Sequence, residues 1–319
     1  MGAQDRGHIL PSLLPFDNIM GDVYWQPVFN ILEDETRTIL LVNAQHIKTV
    51  PGRKTDIRAS EWLADLLRHG LLRASFIPPA PIRDLRALTR YRKTLVQEHT
   101  AEVNRLHKVL ESANLKLGAV ATDILGASGR DMLAALLAGE RDPDVLADLA
   151  RGKLRAKRPD LRRALVGRIK PQHLVLIERI LAHLDFLEQS IAQVQDAIDQ
   201  ALAPFEEAVG LLDGLPGVGR TAAAAMVAEM GTDMSRFPTD KHLTSWAGVC
   251  PGNKQSGGKR LSGKTTKGTP WLRAVLGEVA QAIARSPGTY LHAQYQRIAR
   301  RRGKHKALMA VAHSVLVIA

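Results

Sequence analysis

The most constraining feature of this sequence is a regular apolar repeat within residues 171–205. Its members recur at alternating steps of three and four positions, in the order Ile177, Ile180, Leu184, Leu187, Ile191, Val194 and Ile198. This spacing places them on one stripe of a long helix, which needs a second helix to cover it. The partner can be a second copy of the chain in a coiled coil or another helix of the same chain in a hairpin. In both cases we expect a rigid strut that ends near Pro204.

A second long helix is predicted over residues 83–111, where apolar residues again recur at helical spacing. Its first half is crowded with the basic residues Arg83, Arg86, Arg90, Arg92 and Lys93. A solvated face and a contact surface for a nucleic-acid backbone explain this crowding equally well.

The preceding part of the chain mixes helix and strand patterns. Residues 23–34 read as a short helix, residues 38–44 have the continuous apolar run of a buried parallel strand, and leucines at helical spacing follow from Leu63. This helix–strand–helix order is a fragment of an α/β fold. The sequence therefore predicts a mostly α protein with a partial α/β segment at its N-terminal end.

A glycine turn separates two predicted helices further along. Pro216, Gly217, Val218 and Gly219 lie between an apolar segment and the Ala-rich stretch 221–230. Such a turn presents free backbone N–H groups at the positive end of a helix dipole, where a phosphate binds well. Gly217 and Gly219 are therefore candidate nucleic-acid contacts.

The positive charge of the chain is confined to its last quarter. Residues 241–319 contain fourteen Lys or Arg and a single acid, Glu278, whereas the whole chain has a formal net charge of +12. A phosphate backbone is the obvious partner for such a segment. An anionic membrane is the rival partner, but no stretch is long and apolar enough to span a bilayer, and the basic region is rich in glycine rather than amphipathic.

Glycine and basic residues alternate most densely within residues 241–277, which contain no Asp or Glu. Glycine lets a backbone approach a polyanion closely, and the surrounding cations would hold it. The candidate nucleic-acid contacts of this stretch are Lys254, Lys259, Arg260, Lys264, Lys267 and Arg273.

Cysteine usage and the N-terminus bear on the compartment. Cys250 is the single cysteine, so the chain has neither a disulfide framework nor a cysteine-based zinc site. The first residues lack the pattern of a secretion signal. A cytoplasmic location is predicted.

Eight stretches along the chain resemble one family. They are GDVYWQPVFNILE, LLVNAQHIKTVPGRKTD, EWLADLLRHGLL, LTRYRKTLVQE, GLPGVGRTAAAAMVAE, LTSWAGVCPGN, SGGKRLSGKTTKGTPWLR and AVAHSVLVIA. Together they resemble the DEDD-type insertion-sequence transposases of the IS one-ten family, which are related to the Piv and MooV invertases. The resemblance extends over residues 23–319.

The resemblance implies an order of domains. A non-family segment, 1–22, would precede a partial RNase H-like (RuvC-like) DEDD domain with its following helices, 23–170. A coiled coil over 171–205 would lead to a C-terminal helical transposase domain, 206–319, with a helix-hairpin-helix and a serine loop.

The resemblance also implies a chemistry and partners. A serine of the C-terminal domain would attack a DNA phosphate, and its match here is Ser256 in NKQSGGKR, with Ser262 as the fallback. Without the resemblance, Ser256 would read as an ordinary loop residue. The acidic tetrad of the family binds Mg²⁺. The implied partners are double-stranded donor and target DNA, a structured guide (bridge) RNA, and further copies of the chain in a dimer or tetramer formed through the coiled coil.

This sequence departs from the family pattern at the acidic tetrad. The third position is present as Asp56, which is the one candidate for both metal binding and catalysis, but the fourth position is Ala59. A site for two cations needs several carboxylate oxygens. We therefore expect an impaired copy, truncated at both ends. The alternatives are a catalytically dead nucleic-acid-binding remnant and a DNA-binding or repair protein that shares only the helix-hairpin-helix.

Overall fold

The computed structural model describes residues 25–33, 39–42, 56–72, 75–252, 254–265 and 268–319. Contacts divide the chain into two compact units, Met1–Pro79 and Ala80–Ala319. The described ranges are predominantly helical, which confirms the mostly α prediction. Within these ranges, no helix combines the length and the apolar character that crossing a membrane requires.

The first unit contributes two helices to the described residues, α1 (Trp25–Leu32) and α2 (Asp56–Arg68). Helix α1 confirms the helix predicted over 23–34. The described part of the predicted strand, 39–42, forms no strand, and Val42 alone lies in an isolated bridge. The non-family segment 1–22 and the rest of the predicted strand lie outside the described residues, so the RNase H-like domain stays a prediction.

The second unit is built on two long helices, α3 (Ala80–Ser112) and α8 (Pro171–Ala201). Helix α3 confirms the helix predicted over 83–111. The two helices pack along each other as an antiparallel pair, because the start of α3 and the end of α8 share one apolar cluster. The end of α3 and the start of α8 share another.

This pairing decides between the two partners that the apolar repeat left open. Four of its members are buried inside the single chain: Ile177, Leu184, Leu187 and Ile198. The stripe is thus covered by α3 in an intramolecular hairpin, in which its other three members, Ile180, Ile191 and Val194, are half-buried. Association of copies through this segment stays a prediction, because packing within one chain does not test it.

Small helices cover one end of this hairpin: α4 (Leu117–Val120), α5 (Ala127–Leu137), α6 (Pro143–Asp148), a 3₁₀ turn (Gly152–Lys157) and α7 (Arg158–Ala164). Their leucines, with Ile124 and Met132, form one core with the nearby ends of α3 and α8. Asp142 caps α6 by accepting a hydrogen bond from the Asp144 N–H at 2.9 Å, and Pro143 fits the first helical turn, where no N–H is needed.

The other end of the hairpin carries the C-terminal helices. They are α9 (Glu206–Asp213), α10 (Arg220–Met230), α11 (Asp240–Trp246), α12 (Pro270–Arg285), α13 (Tyr290–Arg302) and α14 (Lys304–Ile318). Between α11 and α12 lies a two-stranded antiparallel hairpin of β1 (Lys254–Ser256) and β2 (Lys259–Ser262). Helix α10 is rich in buried alanines, which lets α3, α9 and α12 approach it closely. The compact second unit therefore begins at Ala80, inside the predicted 23–170 segment.

Candidate nucleic-acid interface

The glycine turn predicted from the sequence joins α9 to α10 and is held against α12. Gly217 has a φ of +79°, and a Cβ there would lie 2.6 Å from the Cγ1 atom of Ile283. Val218 is buried and donates its N–H to the Leu215 carbonyl at 3.0 Å. Glycine is thus required at position 217 both by conformation and by packing. The turn is consequently a fixed feature of the surface.

Helix α10 begins directly after this turn with no side-chain cap. Gly219 is its N-cap residue, with a φ of −93° and a ψ of 166°. A Cβ on Gly219 would meet nothing within 4 Å, so the space in front of the helix is open. The first N–H groups of a helix have no intrahelical partner, and they carry the positive end of its dipole. This terminus is therefore suited to an anion.

The side chain at the start of α10 is turned towards α9. Arg220 donates two hydrogen bonds to Glu206, at 3.0 and 2.6 Å. The Arg220 guanidinium lowers the pKa of the Glu206 carboxyl, mainly through these hydrogen bonds. Glu206 is consequently ionised at neutral pH and neutralises a cation beside the helix terminus.

Ser256 lies at the tip of the β1–β2 hairpin. It pairs with Lys259 across the two-residue loop Gly257–Gly258, whose φ angles are +55° and +73°. Two consecutive positive φ angles are the requirement of a type I′ hairpin turn, and glycine meets it without strain. Ser256 and Lys259 are both exposed. A serine hydroxyl and an ammonium group are thus presented side by side to the solvent.

The fallback residue, Ser262, lies lower in the same hairpin. Its hydroxyl accepts a hydrogen bond from the Lys264 N–H at 3.1 Å. The Gly252 N–H donates to the Lys264 carbonyl at 2.8 Å, and a bridge between Pro251 and Thr265 closes the base of the loop. The Ser262 hydroxyl therefore has a structural partner, whereas the Ser256 hydroxyl forms no hydrogen bond with the part of the chain that the structure describes.

The loop returns to the helices at Gly268 and Thr269. A Cβ on Gly268 would lie 2.3 Å from the carbonyl carbon of Ala247, so only glycine fits. The Thr269 hydroxyl donates to the Glu229 carboxylate at 3.3 Å. Glu229 is 4% exposed and also accepts two hydrogen bonds from Arg90 of α3, at 2.7 and 3.0 Å.

Arg90 and Arg86 belong to the basic cluster of α3, and both are used inside the protein. The Arg90 guanidinium lies over the Trp271 ring at 5.3 Å. Arg86 donates to the carbonyls of Ala228 and Glu229, at 3.0 and 2.8 Å, and so satisfies the C-terminal end of α10. Part of the basic cluster therefore stabilises the fold rather than facing a nucleic acid.

The structure describes the remaining predicted contacts unevenly. Lys264 and Arg273 are exposed, as are the serine and lysine at the hairpin tip. Lys254 and Arg260 lie in β1 and β2, but their side chains are outside the described residues, as is all of Lys267. Asp56 opens α2, and its side chain is likewise not described. Within the described ranges, no three His, Cys, Asp or Glu side chains gather as cation ligands would.

A cationic corner between α13 and α14 is a further candidate nucleic-acid contact, which the sequence-based predictions did not include. It comprises Arg300, Arg301, Arg302, Lys304 and Lys306, all of them exposed. None of the five forms an ion pair with any residue that the structure describes. The signal was present in the sequence as RRRGKHK, but the total charge of residues 241–319 did not single it out.

A second basic segment, 151–170, behaves differently. Four of its arginines are paired with aspartates: Arg151 with Asp131, Arg158 with Asp148, Arg162 with Asp144, and Arg163 with Asp160. The other five basic residues of the segment form no ion pair with a described residue, so its positive charge is balanced only in part. The corner differs in that none of its five cations is paired.

The chain has three matches among known protein families and proteins. A family model described as a transposase, of the DEDD type of IS110, matches residues 19–115, which include α1 to α3. A second, described as "Transposase IS116/IS110/IS902 family", matches residues 209–296, which include the glycine turn and the serine hairpin. The transposase for insertion sequence element IS1111A of Coxiella burnetii is 24% identical over 278 residues, covering 86% of this chain and 68% of that relative.

These matches define the class of protein as a transposase, an enzyme class that carries out DNA transposition. The chain belongs to the IS110-type family of insertion-sequence transposases. The cationic corner lies beyond residue 296 and so outside both matched segments.

Proposed function

We propose that this chain acts in DNA transposition by binding nucleic acid on its C-terminal cationic surface and presenting Ser256 to a phosphate. The observation that carries the proposal is the cationic corner, where five exposed Lys and Arg have no acidic partner among the described residues. Unbalanced surface cations release counterions from a phosphate backbone, and this release favours binding. Family membership supplies the class of reaction.

The placement of two of these cations strengthens the argument. Lys304 and Lys306 lie in the first turn of α14, which has no acidic residue. Cations at a helix N-terminus oppose the dipole and cost about 0.3–1 kcal/mol each. A bound polyanion would remove this penalty, so the corner is better suited to the complex than to the free protein.

The proposed chemistry uses the hairpin tip. The Ser256 oxygen loses its proton, attacks a phosphorus atom of one DNA strand and forms a phosphoserine ester, while the bond between phosphorus and the departing strand's oxygen breaks and that oxygen takes up a proton to become a hydroxyl. One phosphoester bond forms for each one broken, so the strand can later be rejoined by the reverse step. Lys259, which pairs with Ser256, stabilises the charge that develops on the phosphoryl oxygens.

The metal and the other partners belong to the same proposal. Family members usually depend on a divalent cation, and the resemblance makes Asp56 the candidate ligand in this chain. Because the described residues provide no ligand cluster, we derive no step through a metal. Donor and target DNA, a guide RNA, association into oligomers and a cytoplasmic location remain expectations from the resemblance.

The binding proposal is tested with a salt series. Changing Arg300, Arg301 and Arg302 together to Gln is expected to weaken binding of duplex DNA and to reduce the slope of log K against log salt by as much as about 2.7, roughly 0.9 for each phosphate contact. The matched control changes three paired arginines, Arg151, Arg162 and Arg163, to Gln. Equal losses in both variants would show that only net charge matters and would refute the assignment of the corner.

The role of Ser256 is tested by strand transfer with Mg²⁺ and a cognate guide RNA. Ser256→Ala should abolish transfer while duplex binding persists, whereas Ser262→Ala should retain it. No transfer by the unaltered chain would instead favour the second candidate, a nucleic-acid-binding protein without catalysis. The observation that keeps this candidate open is Ala59, which stands at one of the acidic positions of the family pattern.

A further inference from the structure

A cavity of about 430 Å³ lies where α3, α8, α10 and α12 meet, beside the glycine turn. Its volume falls within the range of small-ligand sites. Apolar side chains form much of its lining: Val96, Ile198, Ala224, Ala225 and Val275. The first turn of α10 and the basic residues of α3 supply its polar groups. The cavity thus combines an apolar surface with donors placed at one side.

Arg92 is the donor that the fold leaves unused. Its Nε atom is buried and has no hydrogen-bond partner, and the side chain forms no ion pair with any described residue. A buried N–H without a partner costs about 1–3 kcal/mol. Arg86 and Arg90, which lie nearly two turns and about half a turn earlier on α3, donate their hydrogen bonds inside the protein. The buried Nε is out of reach of a ligand, but the rest of the Arg92 side chain lines the cavity, and an anion there would balance its charge.

The other cations of the cavity are already balanced. Lys93 is paired with Glu278, which is another lining residue. Arg220 is paired with Glu206. What remains is the single charge of Arg92 and the positive end of the α10 dipole, equivalent to about half a charge. This balance matches one negative charge, as in a phosphodiester, better than the two charges of a terminal phosphate.

Gly219 leaves room for a ligand at this place. Its φ of −93° is one that any residue adopts, and the space for a Cβ is open. Neither conformation nor packing in the free protein therefore demands a glycine here, in contrast to Gly217. A side chain at position 219 would project in front of the helix terminus, where a phosphate would have to lie to reach the first N–H groups.

We propose that this cavity binds one nucleotide unit of a nucleic-acid strand. The phosphodiester lies between Arg92 and the first turn of α10, and the base rests on the apolar lining around Ala225. The inference rests on the proposed nucleic-acid function, because the strand that enters the cavity is the one bound on the neighbouring surface. It assigns to Arg92 a role in binding rather than in the stability of the fold.

The test measures binding of a dinucleotide with a single phosphodiester to the full chain by calorimetry. The matching nucleoside and inorganic phosphate serve as the other probes. The dinucleotide is expected to bind more tightly than either. Arg92→Gln should weaken this binding about tenfold or more, because a charge-assisted hydrogen bond is lost. Ala225→Leu, which fills the cavity with carbon, should weaken it as well. Lys108→Gln, an exposed cation further along α3, is the matched control and should change nothing.

The outcomes separate this inference from the proposed function. Unchanged dinucleotide binding in both cavity variants would overturn it, and so would phosphate alone binding as tightly as the dinucleotide. If the dinucleotide fails to bind while long duplex DNA binds at the cationic corner, the cavity proposal fails and the proposed function stands. Dinucleotide binding without duplex binding would leave the cavity site valid and refute the proposed function. Unchanged thermal unfolding of Arg92→Gln would exclude loss of the fold as the cause.

Discussion

Arg90 and Glu229 form a two-point ion pair between α3 and the last turn of α10, although 139 residues separate them in the chain. The same carboxylate accepts a hydrogen bond from Thr269, where the serine-bearing loop ends. The buried Glu229 therefore connects α3 to two parts of the C-terminal helices. It holds α3 against α10, the helix that follows the glycine turn, and it binds the end of the loop that carries the β-hairpin. The position of these parts depends on this contact.

The first prediction concerns that ion pair. Arg90→Met should lower the free energy of unfolding by about 3–5 kcal/mol, because it leaves Glu229 buried without its partner. Urea denaturation measures the effect. The control is Arg179→Met, which breaks an exposed pair with Glu178 and should cost less than about 1 kcal/mol. Similar losses in the two variants would show that the buried pair has no special role.

The second prediction contrasts the two glycines of the turn. Gly217→Ala should destabilise the protein by about 1–2 kcal/mol from the left-handed φ alone, with a further cost from the contact with Ile283. Gly219→Ala should change stability by no more than about 0.5 kcal/mol, because both conformation and space permit it. Thermal unfolding distinguishes the two.

The effect of Gly219→Ala on nucleic-acid binding should be larger than its small effect on stability suggests. Gly219→Ala is expected to weaken binding in a folded protein, because its methyl group lies in front of the first N–H groups of α10. Full binding by this variant would argue against a phosphate at that terminus.

The third prediction concerns the hairpin tip. Gly257→Val should lower strand transfer nearly as much as Ser256→Ala, because a β-branched residue is strained at a φ of +55° and the tip loses its geometry. Gly257→Asn should be close to the unaltered protein, since Asn followed by Gly is a favoured type I′ pair. Hydrogen exchange of the loop amides reports the loosened turn. Equal activity of the Val and Asn variants would show that the turn does not position Ser256.

The fourth prediction is a gain of affinity. Glu206→Gln removes the acid that neutralises Arg220 and should tighten duplex binding by no more than about fivefold, because the pair is exposed to solvent. Glu207→Gln changes the net charge equally but has no pair with Arg220, so it should have the smaller effect. Filter binding at low salt compares the two, and the same gain in both would mean that Arg220 takes no part.

The pH dependence of this pair follows from the lowered pKa of Glu206. A carboxyl whose pKa is lower in the folded protein stabilises it above the ordinary carboxyl pKa, and the contribution is lost as the pH falls through the lowered value. Binding by the unaltered chain should therefore be insensitive to Glu206 near neutrality and tighten in acid. Glu206→Gln should lack the part of this tightening that arises from Glu206.

Local patterns in the sequence were sufficient for several elements. The helical spacing of apolar residues predicted α3 and α8. The two glycines between an apolar stretch and an Ala-rich stretch predicted the turn before α10. The glycine-rich stretch was expected to approach a polyanion closely, and the structure shows a hairpin with an exposed tip there. The pairing of Ser256 with Lys259 was not predicted, because the sequence pattern there is irregular. The positive φ angles of Gly257 and Gly258, which only the structure shows, make the turn of the hairpin.

The sequence by itself determined the helices, the confinement of positive charge to residues 241–319 and the family, because each depends on residue type and short-range spacing. Only the tertiary structure decided which helix covers the apolar stripe of α8 and which cations keep a free charge. Arg162 and the corner residue Arg301 look alike in the sequence, yet one faces Asp144 and the other faces solvent. The difference arises because ion pairs and cavities form between segments brought together by packing, and no local pattern records that proximity.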